Sequence, residues 1–161
     1  MDYYEIGKIK VNIKFKEILI EEINEAVKTI SRIDFHPISE YEKLVPEKFL
    51  KTYKKNKPAG KADVYWIPPD SCQADLYLPA VIKKCKHMYT FIHEMGHVVN
   101  KHAGFSFDID MRETEADEYA VRRMEQWLSK IEKKADKSKI EMMIAVAKMR
   151  IKDRNRLSAL I

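Results

Sequence analysis

The sequence has few of the residues that cross-link or interrupt a chain. Its two cysteines, Cys72 and Cys85, are too few for the disulfide framework of a small secreted protein and suit a reducing compartment. Only four glycines and six prolines occur among 161 residues, and long polar tracts and internal repeats are absent. Extensive disorder and repeat architectures are therefore excluded, and we expect one compact domain over residues 1–161.

Long apolar runs are also missing, so no segment has the length that spans a bilayer. The first residues lack the basic start and apolar block of a secretory signal, and we expect a cytoplasmic protein without membrane contact. Charge is nearly balanced, because 30 Lys and Arg face 25 Asp and Glu for a formal net charge of +5. This small excess permits a nucleic-acid partner without requiring one.

What the sequence does contain is His93-Glu94-Met95-Gly96-His97. Positions i and i+4 lie on one face of a helix, so both imidazoles can bind the same metal ion. The glutamate between them would lie beside the open coordination position, where it can take a proton from a metal-activated water. The motif predicts one Zn²⁺ ion bound by His93 and His97, with Glu94 as the catalytic base.

Hydrophobic periodicity predicts that this motif lies late in a buried helix that follows Pro79 and is capped by Gly104. The apolar stripe of the helix is Val81 or Ile82, Cys85, Met88, Ile92, Met95 and Val99. Two short strands, 62–67 and 74–78, precede the helix. We expect the second strand to form the edge of the cleft, where an extended substrate can pair with it.

The remaining pattern predicts an α+β fold, a small sheet packed on helices with the metal-binding helix in the centre. Upstream we expect a strand over 8–16, a helix from about 19 to 33 that residues 34–37 break, and a short helix over 47–53. Downstream we expect a helix from about 110 past 127, and a basic last helix over about 138–158 that Ser138 caps. The catalytic core would span about 62–131.

A catalytic zinc site needs a third protein ligand. Glu113 and Asp117 are four residues apart and share a helical face, so Glu113 could bind the metal while Asp117 accepts the second N–H of a ligand histidine. Glu115 is the alternative third ligand. The small residues Gly96 and Ala116 would let the two helices approach closely enough to share one ion.

His93-Glu94-Met95-Gly96-His97 followed by Glu113-x-Glu115-Ala116-Asp117-x-Tyr119-Ala120 resembles the gluzincins, and more closely the small ImmA/IrrE-type metallopeptidases. The resemblance covers about residues 79–124. It implies a zincin-like fold, His93, His97 and Glu113 as ligands and Glu94 as the base. It also implies a protein or peptide substrate of regulatory function, such as a transcriptional repressor. The spacing between the two motifs is shorter than in that family, and the family's proline after the second motif is absent.

The sequence leaves several roles open. A side chain that assists the metal by polarising the scissile carbonyl could be Tyr119, His102, Tyr65 or His36. Cys72 could bind the zinc and hold the enzyme latent, although an ordinary buried cysteine is the favoured interpretation.

The leading functional hypothesis is a zinc-dependent endopeptidase with a narrow protein substrate. One alternative is a zinc-binding regulator with weak proteolysis, and another is a nucleic-acid-associated protein that uses its basic helices.

Overall fold

The structure, a computed structural model, describes residues 2–103 and 108–159, so the predicted cap Gly104 lies outside the described residues. In the described part the chain forms six α-helices and six strands in two small three-stranded sheets. The α+β class is confirmed, but the single sheet that we expected is divided in two.

The first sheet begins with the hairpin of β1 (Tyr3–Ile6) and β2 (Ile9–Asn12). The predicted strand over 8–16 ends early, because the Asn12 side chain accepts a hydrogen bond from the Lys14 amide and starts a 3₁₀ turn. Ile13 consequently leaves the alternating pattern and is 48% exposed. Local capping chemistry therefore overrides the period-two pattern at this point.

The helix that follows, α1 (Lys16–Ala26), is shorter than predicted. The residues expected only to break it form instead a strand, β3 (Arg32–Pro37), which pairs in parallel with a strand about 40 residues later. Such non-local pairing leaves no local period to read in the sequence. Two short helices complete this half, α2 (Ile38–Glu42) and α3 (Glu47–Lys55), and α3 starts directly after Pro46 as predicted.

The second sheet contains β3 with β4 (Lys61–Ile67) and β5 (Ser71–Leu78), in the order β3-β5-β4. Both strands predicted in this region are present. The prediction that the second of them forms the cleft edge is wrong, because β5 pairs on one side with β3 and on the other with β4. The edge strands of this sheet are β3 and β4, and β4 is the one that lines the cavity described below.

The pair Val81–Ile82, predicted to begin the motif helix, forms the short strand β6, which pairs in parallel with β2 and completes the first sheet. Helix α4 (Cys85–Val99) follows and carries the histidine motif. It contacts β4, β5, α1, α5 and α6, as expected for a central helix.

The last two helices are α5 (Ile109–Trp127) and α6 (Lys134–Ala159). Ser138 does not cap α6, which begins four residues earlier. The Asp136 carboxylate in its first turn lies 3.5 Å from the Lys14 Nζ and 3.8 Å from the Cys85 Sγ, and these contacts fasten the start of α6 to the body of the protein. No described helix combines the length and the apolar character needed to cross a membrane.

Candidate metal centre

The site depends on a close crossing of α4 and α5. A Cβ built on Gly96 would lie 2.8 Å from both the Cα and the carbonyl oxygen of Ala116, a distance that no side chain tolerates. The expectation that these two small residues allow close approach is confirmed. Because the contact is with backbone, a neighbouring rotamer change cannot make room for a larger residue.

We expect Gly96→Ala to lower the free energy of unfolding by about 1–3 kcal/mol, the usual cost of overpacking. Helix propensity alone predicts the opposite sign, a gain of about 1 kcal/mol for replacing a helical glycine by alanine. Urea denaturation of the two proteins decides between these effects. A more stable variant would show that the two helices can separate without loss.

The crossing brings three potential ligand residues together. Glu113 Oε2 lies 3.0 Å from His93 Nε2, and Glu113 Oε1 lies 3.2 Å from His97 Nε2. The ligand atoms of the three residues are all within 4.8 Å of one another. Donors bound to one tetrahedral Zn²⁺ at about 2.1 Å are separated by about 3.4 Å, so the donor set and its spacing fit a zinc ion. Glu115, the alternative ligand, does not join this group.

Asp117 contacts His93 at Nδ1, the ring nitrogen that does not face Glu113. Its carboxylate is 0% exposed and lies 2.8 Å from His93 Nδ1. Because an ionised carboxylate only accepts hydrogen bonds, His93 donates to Asp117 from Nδ1, and Nε2 is the nitrogen that faces Glu113 and could bind a metal ion. Arg154 Nη1 donates to Oδ2 of the same carboxylate at 2.8 Å. The Tyr89 hydroxyl donates to Oδ1, the oxygen that His93 also contacts.

These contacts shift the pKa values of the site in opposite directions. Burial alone would raise the pKa of Asp117, but hydrogen bonds from His93 and Tyr89 lower it to about 2. Burial alone would lower the pKa of His93, yet its hydrogen bonds to Asp117 and Glu113 raise it to about 9 in the metal-free protein. Hydrogen bonds with His93 and His97 lower the pKa of Glu113.

Glu94 is buried at the same cavity, and burial raises the pKa of its carboxyl group, an effect that the charges of His93 and His97 partly offset. Gly60 passes directly over it. A Cβ on Gly60 would lie 3.0 Å from the Glu94 Cγ and 2.7 Å from the Thr90 Cγ2. The loop before β4 therefore needs a glycine to cover the base.

The cavity has a volume of about 830 Å³ and is bounded by α4 and α5, by residues 58–65 with the edge strand β4, and by α6. Two basic residues of α6, Arg150 and Arg154, line it. Arg154 pairs with the buried Asp117 and the Arg150 guanidinium lies 4.9 Å from the Tyr89 ring centroid, so these two basic side chains of α6 face the site.

The sequence reasoning missed Gly60, Tyr89, Arg150 and Arg154. A signal existed for three of them: Tyr89 is four residues before His93, and the two arginines are four residues apart on one helical face. Nothing local shows that this face of α6 turns toward α4.

Two candidates for the assisting side chain lie outside the cavity. Tyr119 is two residues beyond Asp117, which turns it to the other side of α5, where it is buried near Arg122. His36 donates from Nε2 to Asp75 Oδ1 at 2.9 Å and is not among the described residues that line the cavity. The structure therefore places neither Tyr119 nor His36 where it could assist a metal ion in the cavity.

The other two candidates, Tyr65 and His102, do line the cavity. On a helix that continued to the predicted cap Gly104, His102 would point away from His97. Helix α4 instead ends at Val99, and Lys101 has a φ of 55°, so the chain turns back and His102 Nδ1 lies 2.9 Å from His97 Nδ1. Burial lowers the pKa of His102.

Neither cysteine is among the described residues that line the cavity. Cys72 is buried on β5, and burial raises the pKa of its thiol, so the thiolate that binds zinc is disfavoured. Cys85 is buried at the start of α4. The interpretation of both as packing residues agrees with these positions.

Searches with this chain found no matching protein-family model, no matching curated protein and no matching solved structure. The arrangement of side chains described above is therefore the basis for assigning a function.

Proposed function

We propose that the chain is a zinc-dependent endopeptidase with a zincin-like fold. The observation that carries the proposal is the convergence of His93, His97 and Glu113 at one point of a cavity that also contains the buried carboxyl group of Glu94. Two imidazoles and one carboxylate leave a fourth position of a tetrahedral ion open, which is the feature that separates catalytic from structural zinc sites.

A zinc ion bound there supplies Lewis acidity, which lowers the pKa of a water toward neutrality and polarises a carbonyl group. Glu94 accepts the proton of the attacking water and returns it to the leaving amine nitrogen. Burial raises the pKa of Glu94, which favours its acceptance of the proton. Asp117 keeps His93 in the tautomer that presents Nε2.

In place of Tyr119, we assign to Arg150 the role of the assisting electrophile. Its side chain is 45% exposed at the cavity, and the Tyr89 hydroxyl accepts a hydrogen bond from it. Arg154 is less suited, because it pairs closely with Asp117. A guanidinium at this place can stabilise the negative charge that develops on the carbonyl oxygen.

The substrate would enter along β4. The described ladder pairs residues 61–63 with β5 alone, while Val64 also bridges to Ala103 on the outer edge. An extended peptide can add to the open stretch by main-chain hydrogen bonds, with its backbone carried past Glu94. We expect a cytoplasmic protein substrate of regulatory function, such as a transcriptional repressor, on the strength of the motif resemblance.

Metal analysis of the purified protein tests the proposal most directly. We expect one zinc ion per chain in the wild type and none in His97→Ala after dialysis against a weak chelator, because two ligands hold zinc too weakly. The variant Lys152→Gln, which changes an exposed residue of α6, serves as the control and should retain its zinc. A wild-type protein that takes up no zinc at micromolar free concentration would rule the proposal out.

A further inference from the structure

We propose that His102 and Glu115 form a hydrogen-bond chain that fixes the tautomer and orientation of His97, so that both act as positioning residues for the metal centre. The inference rests on the proposed function, since it assigns to these residues a role at the same site. Both are absent from the ligand group, and each has the other as its partner.

A turn of the backbone after α4 brings His102 next to His97. After α4 ends, Lys101 adopts a left-handed conformation with φ 55°, and the His102 amide donates to the His97 carbonyl oxygen at 3.0 Å. Arg112 on α5 donates from Nη2 to the Ala103 carbonyl oxygen at 2.9 Å, which ties this turn to the helix that carries Glu115. The His102 side chain is only 9% exposed.

The direction of the chain follows from the chemistry of its last member. Glu115 Oε2 lies 3.4 Å from His102 Nε2, and an ionised carboxylate can only accept, so His102 donates from Nε2. A neutral imidazole then has a bare Nδ1, which accepts the hydrogen of His97 Nδ1 across 2.9 Å. His97 then has Nε2, the nitrogen that faces Glu113 at 3.2 Å, to offer to a zinc ion.

Each ligating histidine therefore has its own carboxylate on α5. Asp117 accepts a hydrogen bond from His93 directly, while Glu115 accepts one from His102, which in turn contacts His97. The link through His102 is required by helix geometry: residues 115 and 117 lie about 200° apart around α5, so Glu115 cannot share the face that Asp117 presents to α4. This accounts for an acidic residue that the sequence offered as an alternative ligand.

The test measures zinc affinity by competition with a fluorescent chelator, in the absence of any substrate. We expect His102→Phe, which keeps a planar ring but removes the acceptor, to weaken zinc binding by about 10–100-fold. Glu115→Gln should weaken it less, and Glu115→Asp less than Glu115→Gln. Glu118→Gln on the exposed side of α5 is the matched control and should leave the affinity unchanged.

Nitrogen-15 NMR of the histidine rings supplies a readout that a purely structural role would not move. We expect His102 to be protonated at Nε2 and His97 at Nδ1, with and without zinc, and the His102 tautomers to mix in Glu115→Gln. Unchanged zinc affinity in His102→Phe, or a wild-type His102 protonated at Nδ1, would overturn the inference. A wild-type protein that binds no zinc but shows these tautomers would overturn the proposed function alone.

Discussion

Glu94→Gln is expected to reduce peptide hydrolysis by about 10²–10⁴-fold, the usual contribution of general acid–base catalysis, while the zinc content stays at one ion per chain. The amide has the shape of the carboxylate but cannot accept the proton of the attacking water. Because burial raises the pKa of Glu94, its ionised form is disfavoured in the folded protein. The neutral amide should therefore leave the unfolding free energy of the metal-free protein equal or higher.

The assay needs no knowledge of the natural substrate. A mixed peptide library is incubated with the zinc-loaded protein, and mass spectrometry follows the appearance of new termini. His97→Ala is the companion variant and should lose both zinc and cleavage. Cleavage by Glu94→Gln at the wild-type rate would refute the assignment of the base.

The same pair of variants separates the alternative functions. If the biological effect survives in Glu94→Gln but is lost in His97→Ala, the chain is a zinc-binding regulator rather than a protease. If instead the protein binds nucleic acid in a manner that ignores chelators but weakens steeply with added salt, the basic helices carry the function. Each outcome contradicts the proposed peptidase.

Asp117→Asn is expected to have the largest effect on stability, a loss of about 3 kcal/mol, because removing one member of a buried charged network leaves its partners uncompensated. The carboxylate is fully buried, and three donors depend on it: His93, Arg154 and Tyr89. An asparagine offers one acceptor oxygen for these three and no charge. Chemical denaturation at neutral pH measures the loss, with Glu118→Gln as the exposed control on the same helix.

The effect should depend on pH with a definite sign. Because the folded-state pKa of Asp117 is lowered to about 2 from an ordinary value of 3.8, the stability that it supplies is fully present above 3.8 and is lost as the pH falls toward 2. The difference between the wild type and Asp117→Asn should therefore shrink in acid. A difference that persists unchanged to pH 2 would show that shape rather than charge is responsible.

The sequence by itself determined those features that depend on helical spacing. His93 and His97 share one face of α4, Glu113 and Asp117 share one face of α5, and in the structure both pairs meet as that spacing requires. Gly96 opposite Ala116 was readable for the same reason, since small residues permit a close crossing. The period of 3.6 residues fixes these relations within a few turns, whatever the rest of the chain does.

Only the tertiary structure decided the relations between distant segments. It brings Glu113 rather than Glu115 to the histidines, makes β4 rather than β5 the edge of the cleft, and turns Arg154 inward to Asp117. It also turns His102 back onto His97, because the helix stops and one residue adopts a positive φ. These relations depend on packing, strand pairing and loop closure between residues far apart in the chain. Local periodicity in the sequence therefore cannot predict them.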